Sequence, residues 1–266
     1  MRRFSPEYLR RTREGLWEDR TALDPLDLPG RQRVLDVGAG TGELTRVLAA
    51  ETPPGALVVA LDADPALLDV LRTGTDLPAV RGDAGRLPVA DGAVDLVVCQ
   101  ALLVNLPDPL RAVREFARAS SDLVAAVEPD NAAVGVDSTV DAEPALDRRA
   151  RRAYRRGVGT DVAPGDRVAD LFREAGLTDV RTRRHHHEKR VEPPYDDAAL
   201  RAATRKASGA GLVDHEGTLR RALSDEAYDA LREEWREMGR EVVAQMQGEE
   251  YRRVEVVPFD VTVGRV

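Results

Sequence analysis

The chain predicts an α/β fold, a doubly wound, mostly parallel seven-stranded sheet with helical cap insertions. Three observations carry that expectation. Short apolar runs alternate with helix-patterned segments through the first half, the rhythm of strand, helix and parallel strand. The run Val34-Leu35-Asp36-Val37 passes directly into Gly38, Gly40 and Gly42 and then into the amphipathic pattern Leu44, Val47, Leu48. Two Asp-Pro pairs, Asp64-Pro65 and Asp108-Pro109, stand where helices should begin, each an N-cap acid followed by a first-turn proline.

Taken in order, residues 5–23 read as one or two helices, with Ser5 as cap and Pro6 in the first turn. Tyr8, Leu9, Leu16 and Trp17 supply the apolar side, and Arg10, Arg11 and Arg13 face elsewhere. Two readings fit this segment: a helix packed on the sheet, or a lid whose Tyr8 or Trp17 also touches a ligand. Strands follow at 34–37, at 56–62 ending in Asp62, at 79–84 through Asp83, at 94–100 ending in Gln100, and at 123–130 through Glu128. Helices are expected at 141–156 and 166–177, the second closed by Gly176, and then a strand at 180–191. Helical periodicity returns at 198–208 and 224–247, and a long last strand covers 251–266. The expected organisation is therefore an N-terminal helical lid (1–28), a ligand-binding core (29–135), and a cap segment with a completing helix and strand (136–195). A helical insertion (196–249) and the final core strand (250–266) complete it. Insertions on the C-terminal side of such a sheet build the substrate pocket, and a capped pocket encloses something small.

The glycine spacing narrows the ligand. A dinucleotide fingerprint would place its third glycine at Glu43, whereas this chain reads D-x-G-x-G-x-G from Asp36 to Gly42. An acid two residues before the first glycine suits a cationic ligand portion and would repel a pyrophosphate. A carboxylate at the end of the second strand, Asp62, can accept both hydroxyls of a ribose. In these motifs, over about residues 30–135, the chain resembles the class I S-adenosylmethionine-dependent methyltransferases, in particular the group acting on quinones and natural products. The resemblance implies that Asp36, Gly38, Ala39, Gly40, Asp62, Ala63, Asp83, Ala84 and Gln100 hold S-adenosylmethionine, with S-adenosylhomocysteine as product and Asp83 near the adenine amino group. It also implies that one arginine of the leading helix meets the methionine carboxylate. On the acceptor side the candidates are Tyr8, Trp17, Asn105, Glu128 and Asn131, with Asp130 beside them. No catalytic side chain is named, because a sulfonium is already an activated leaving group.

Composition bounds the alternatives. The 266 residues carry a formal net charge of −8, and Lys189 and Lys206 are the only lysines. That balance argues against a general nucleic-acid binder, which would carry a basic stripe. No apolar run is long enough to span a membrane, and the N-terminus lacks the apolar stretch of a secretory signal. Cys99, the only cysteine, lies within an expected buried strand. These features lead us to expect a cytoplasmic enzyme with a small-molecule partner, no nucleic-acid or membrane partner and no metal. An RNA or protein methyltransferase, a nucleotide-binding oxidoreductase, and a non-catalytic cofactor-binding protein remain as alternatives. His185-His186-His187 places at most two imidazoles on one strand face, without a completing ligand set. Glu192-Pro193-Pro194-Tyr195 resembles the motif of amino-methylating nucleic-acid enzymes but comes far after the fourth strand, so it reads as a linker.

Overall fold

The computed structural model describes residues 5–13, 15–165 and 167–266. Residues 1–4 of the expected lid, Glu14, and Asp166, the expected start of a helix, lie outside the described residues, as does the Arg11 side chain. The chain opens with α1 (Pro6–Arg13), where the Ser5 hydroxyl accepts the Tyr8 N–H at 3.2 Å. Short 3-10 turns over Arg20–Leu26 and Leu28–Gly30 lead into β1 (Arg33–Val37) and α2 (Glu43–Glu51). Then come β2 (Leu57–Asp62), α3 (Pro65–Gly74), β3 (Ala79–Arg81) and β4 (Val94–Gln100). A 3-10 turn at Leu103–Asn105 precedes α4 (Pro109–Ala119) and β5 (Ser120–Pro129). The remainder is β6 (Gly135–Ser138), α5 (Glu143–Gly157), α6 (Arg167–Glu174), β7 (Thr178–Val191), α7 (Asp197–Ser208), α8 (Ala210–Val213), α9 (Glu216–Leu219), α10 (Asp225–Gln247) and β8 (Arg253–Arg265).

Both Asp-Pro pairs cap as expected. Asp64 accepts the Ala66 N–H at 2.9 Å to start α3, and Asp108 accepts the Arg111 N–H at 3.0 Å to start α4. These caps fix where each crossover helix begins, and hence which strand ends lie open between helices.

By compactness the chain divides into two units. The first comprises Met1–Pro129, Ala163–His185 and Phe259–Val266; the second comprises Asp130–Val162 and His186–Pro258. In the first unit the strands run β3-β2-β1-β4-β5-β8, with β7 beside β8. The pairs β1–β2, β1–β4, β2–β3 and β4–β5 are parallel, whereas β8 is antiparallel to β5. Thr182 meets Thr262 and Arg184 meets Asp260, so β7 and β8 also run in opposite directions. Central strands buried on both faces need continuous apolar runs, and Leu96, Val97, Val98 and Cys99 are all fully buried. Their alternation serves two cores. Leu35, Val97 and Cys99 pack with Phe116 of α4 and Phe172 of α6, while Val34, Leu96 and Val98 pack with Leu44 and Leu48 of α2. The strand order reverses between β1 and β4, so their C-terminal ends form the crevice where open α/β sheets place ligands.

Among the described residues the sheet has eight strands, not the expected seven. The addition is β6, which pairs antiparallel with residues 253–256 of β8. Its four residues alternate between exposed and half-buried, so no apolar run marks it in the sequence. It exists because the first half of β8 offers backbone groups that require partners.

The second unit has its own core, with Leu231, Met238 and Val242 of α10 packed with Ala203 of α7 and Leu146 of α5. Gly239 lets α10 approach α7 closely: a Cβ there would lie 2.3 Å from the Ala207 nitrogen. Among the described residues no helix is long and apolar enough to cross a membrane.

Candidate functional site

The turn after β1 requires its glycines. Gly38, Gly40 and Gly42 have φ of 74, 58 and 83°, the left-handed region that costs a side-chain-bearing residue about 1–3 kcal/mol. Space is also short: a Cβ on Gly38 would lie 2.9 Å from Leu102 Cδ1, and one on Gly40 2.9 Å from Leu9 Cδ1.

The first amides of this turn are already engaged. Gly38 and Ala39 N–H both donate to the Leu61 carbonyl, at 2.7 and 3.0 Å, and Gly40 N–H donates to Asp62 Oδ2 at 2.8 Å. A pyrophosphate cradle would instead offer these groups to its ligand. Thus the geometry counts against a dinucleotide, on grounds separate from the glycine count.

Asp62 is a clamp as well as a ligand candidate. While Oδ2 takes the Gly40 amide, Oδ1 accepts the Asp64 N–H at 2.9 Å, which ties the end of β2 to the glycine turn and to α3. Each oxygen keeps a further lone pair for a hydroxyl donor. Ala63 follows it, half-buried.

Asp36 lies on β1 opposite Ala60, two residues before Asp62 on β2, and is buried, with the Thr45 hydroxyl donating to its Oδ2 at 2.6 Å. Burial pushes its carboxyl up to about 6, against the opposing pull of Thr45 and of the Arg13 guanidinium. The native state therefore holds this proton more tightly than the unfolded chain, and the group's contribution to stability falls as pH rises from about 4 to 6. At ~1.4 kcal/mol per pH unit, a carboxyl raised to about 6 makes the cost at neutral pH about 3 kcal/mol. Asp36→Asn keeps an acceptor for Thr45 and removes the buried charge. We expect it to be more stable than wild type at pH 8 by up to about 3 kcal/mol, with the gap closing towards pH 4. Urea unfolding at both pH values checks this, and a pH-independent difference would refute it.

Of the expected lid, α1 lies on the turn. Leu9 and Arg13 pack over Gly40, and Arg13 donates to Glu43 at the start of α2 at 3.2 Å. Tyr8, by contrast, is exposed. Trp17 is placed elsewhere than the lid reading expected: it lies in a turn beyond α1, and the indole lies in the core, edge-on to Phe259 at 6.1 Å. Asp83 is exposed at the end of β3 and accepts the Gly85 N–H at 2.9 Å; Ala84 is buried next to it.

The loop after β4 holds two buried acceptors, Gln100 Oε1 and Asn105 Oδ1, with no hydrogen-bond partner among the described residues. Such a group costs about 1–3 kcal/mol unless something donates to it. Ala101 between them has φ of 48°, a strained value for a residue with a side chain. Glu128 does not present its carboxylate outward. It lies buried at the end of β5, where its oxygens accept the Leu102, Leu103 and Val104 N–H groups at 3.0, 2.8 and 3.3 Å. Asn131 belongs to the second unit and donates to the Val162 carbonyl at 2.6 Å. Neither the sequence spacing nor any motif signalled the inward turn of Glu128, or that Leu9 and Arg13 would be the residues of α1 packed on the glycine turn.

Other candidates sit apart from this turn. His185 stacks on Phe259 at 5.5 Å, and among the described residues no group of three metal-binding side chains gathers. Burial pushes the Cys99 thiol up, which leaves it poorly nucleophilic.

Comparison with known proteins gives a match to the methyltransferase domain family over residues 35–122, the span containing β1 to α4 and the turns just described. An uncharacterized methyltransferase of Mycobacterium tuberculosis is 46% identical over 101 residues, covering 36% of this chain and 39% of that protein. The demethylmenaquinone methyltransferase of Corynebacterium urealyticum is 41% identical over 105 residues, covering 39% of this chain and 43% of that protein. The chain thus spans well under half the length of these curated relatives. A solved structure from Bacillus halodurans, of a chain assigned provisionally as a methyltransferase, superposes with a TM-score of 0.53. It covers 92% of this chain and 97% of its own at 17% identity, a likeness of fold.

Proposed function

We propose that this chain, whose residues 35–122 match the methyltransferase domain family, is a class I S-adenosylmethionine-dependent methyltransferase and that it methylates an O, N, S or C atom of a small-molecule acceptor. The observation that carries the reading is the Asp62 clamp on Gly40: it sets an acid with spare lone pairs, and the buried Asp36, beside a turn whose Gly38, Ala39 and Gly40 amides are already engaged. These residues fit S-adenosylmethionine. The spare lone pairs of Asp62 suit ribose hydroxyls, and ionised Asp36 suits the ligand's amino group. Asp83 suits the adenine amino group, Arg13 can exchange Glu43 for the ligand carboxylate, and the orphan Gln100 and Asn105 oxygens await donors. When bound, the cofactor supplies a methyl group on a sulfonium, displaced in line by the acceptor atom. The protein's task is then to hold both partners at attack distance, worth about 7–11 kcal/mol where orientation is good. No proton acceptor is assigned.

A quinone-type or related acceptor is favoured by the demethylmenaquinone methyltransferases among the relatives. The acidic composition favours a small acceptor over RNA, and a cytoplasmic location is part of the same proposal. Calorimetric titration with S-adenosylhomocysteine and NADH tests the reading. We expect binding of the first and none of the second; NADH binding alone would overturn it.

A further inference from the structure

We infer that Glu128 is a positioning residue for the loop after β4, fixing the backbone of residues 102–104 against the glycine turn. The inference rests on the reading of that turn as the cofactor site, since this loop would then face the reacting atoms.

The loop has no cap of its own. It leaves β4 through the strained Ala101, and Leu102, the N-cap of its short 3-10 turn, makes no side-chain capping hydrogen bond. The amide groups that such a turn leaves open are claimed from β5. Glu128 Oε1 accepts from Leu102 and Leu103, Oε2 accepts from Val104, and the Cys99 thiol lies 3.8 Å from Oε1. Leu102 in turn lies where a Cβ on Gly38 would be. A single carboxylate therefore couples β5, the β4 loop and the first glycine of the turn.

A carboxylate is required here rather than merely tolerated. Three N–H donors converge on one side chain, and only a group that accepts at both oxygens and donates at neither satisfies them. Among the described residues no cationic side chain pairs with it. The titratable and charged groups around it are Cys99 on β4 and, directly opposite in the β5–β8 register, the buried Asp260, whose carboxylate is taken by Arg184 of β7. Burial, opposed by the backbone donors, pushes the Glu128 carboxyl up to about 7. Protonation near neutrality would turn one oxygen into a donor and weaken its hold on the loop.

The test is hydrogen exchange of the full-length protein, followed at residues 102–104 in wild type and Glu128→Gln. The amide of glutamine must face one of the backbone donors, so we expect the protection factors of these residues to fall by about tenfold or more at pH 8. Protection elsewhere in β4 and β5 should be kept. In wild type the same protection should drop as pH falls through about 7, and this step should be missing in Glu128→Gln. Unchanged protection, a loss spread evenly over β4 and β5, or the same pH step in both proteins would overturn the inference. The readout needs no ligand. Failure of wild type to bind S-adenosylhomocysteine would therefore count against the cofactor reading alone.

Discussion

Asp62→Ala is expected to weaken S-adenosylhomocysteine binding by roughly 1.5–3 kcal/mol, about tenfold to 150-fold, and to destabilise the ligand-free protein as well. The two effects have different origins. Loss of affinity comes from losing a charged acceptor for ligand hydroxyls. Loss of stability comes from the Gly40 amide, which donates to Asp62 at 2.8 Å in a buried turn and has no substitute acceptor once the carboxylate is gone. An unsatisfied buried N–H costs about 1–3 kcal/mol. Asp62→Asn separates the two, since its single carbonyl oxygen can serve Gly40 while its NH2 confronts the Asp64 amide. We expect it to retain more stability than affinity. Calorimetry and urea unfolding of both variants check this; unchanged affinity in Asp62→Ala would mean that the end of β2 does not hold the ligand.

The Asp62 case shows what the sequence makes legible and what it conceals. The apolar run, the acid and the alternating glycines announce strand, turn and helix because each local preference agrees with the next. The Asp-Pro pairs locate α3 and α4 because capping is a local interaction. What the pattern cannot show is which group a strand-end acid meets across the sheet. Asp62 was legible as a strand-end acid but not as the clamp on Gly40, 22 positions away. Glu128 was legible as an acid on the acceptor side, yet its partners lie 24 to 26 positions back and turn it inward. Trp17 fits the apolar side of a longer helix, but it lies in a turn and its indole packs in the core. For β6 the reason is simpler. Four half-exposed residues carry no periodic signal, and only the partner strand defines them.

Glu143→Ala should cost the second unit about 3–5 kcal/mol, the scale for leaving buried cations without their acceptor. Glu143 is nearly inaccessible. It binds Lys206 and the Ser138 hydroxyl, accepts from Tyr251 Oη at 2.8 Å, and pairs with Arg253 at 3.1 Å. The cluster extends to Asp147, which pairs with Arg151 at 2.5 Å. Glu255 takes Arg151 at 2.6 Å and Arg253 at 2.9 Å. Three acids thus balance three cations, contributed by α5, α7 and β8, and one of those cations is among the chain's two lysines. Burial alone would raise both glutamates. Lys206 and Arg253 outweigh it at Glu143, and Arg253 with Arg151 hold Glu255 down at about 2. Carboxyl values lowered in the folded state give stability that is present above about pH 4.5 and lost as pH falls towards 2. The wild-type second unit should therefore be acid-labile across that window, and Glu143→Ala should flatten the dependence as well as lower the plateau. The two tryptophans make this measurable, because Trp17 lies in the first unit and Trp235 in the second. With Trp17→Phe as background, urea unfolding followed by Trp235 fluorescence at pH 8 and pH 3 reports the second unit. A loss under about 1 kcal/mol, the range of exposed ion pairs, would mean that water reaches the cluster and that its charges do not lock α5, α7 and β8 in register.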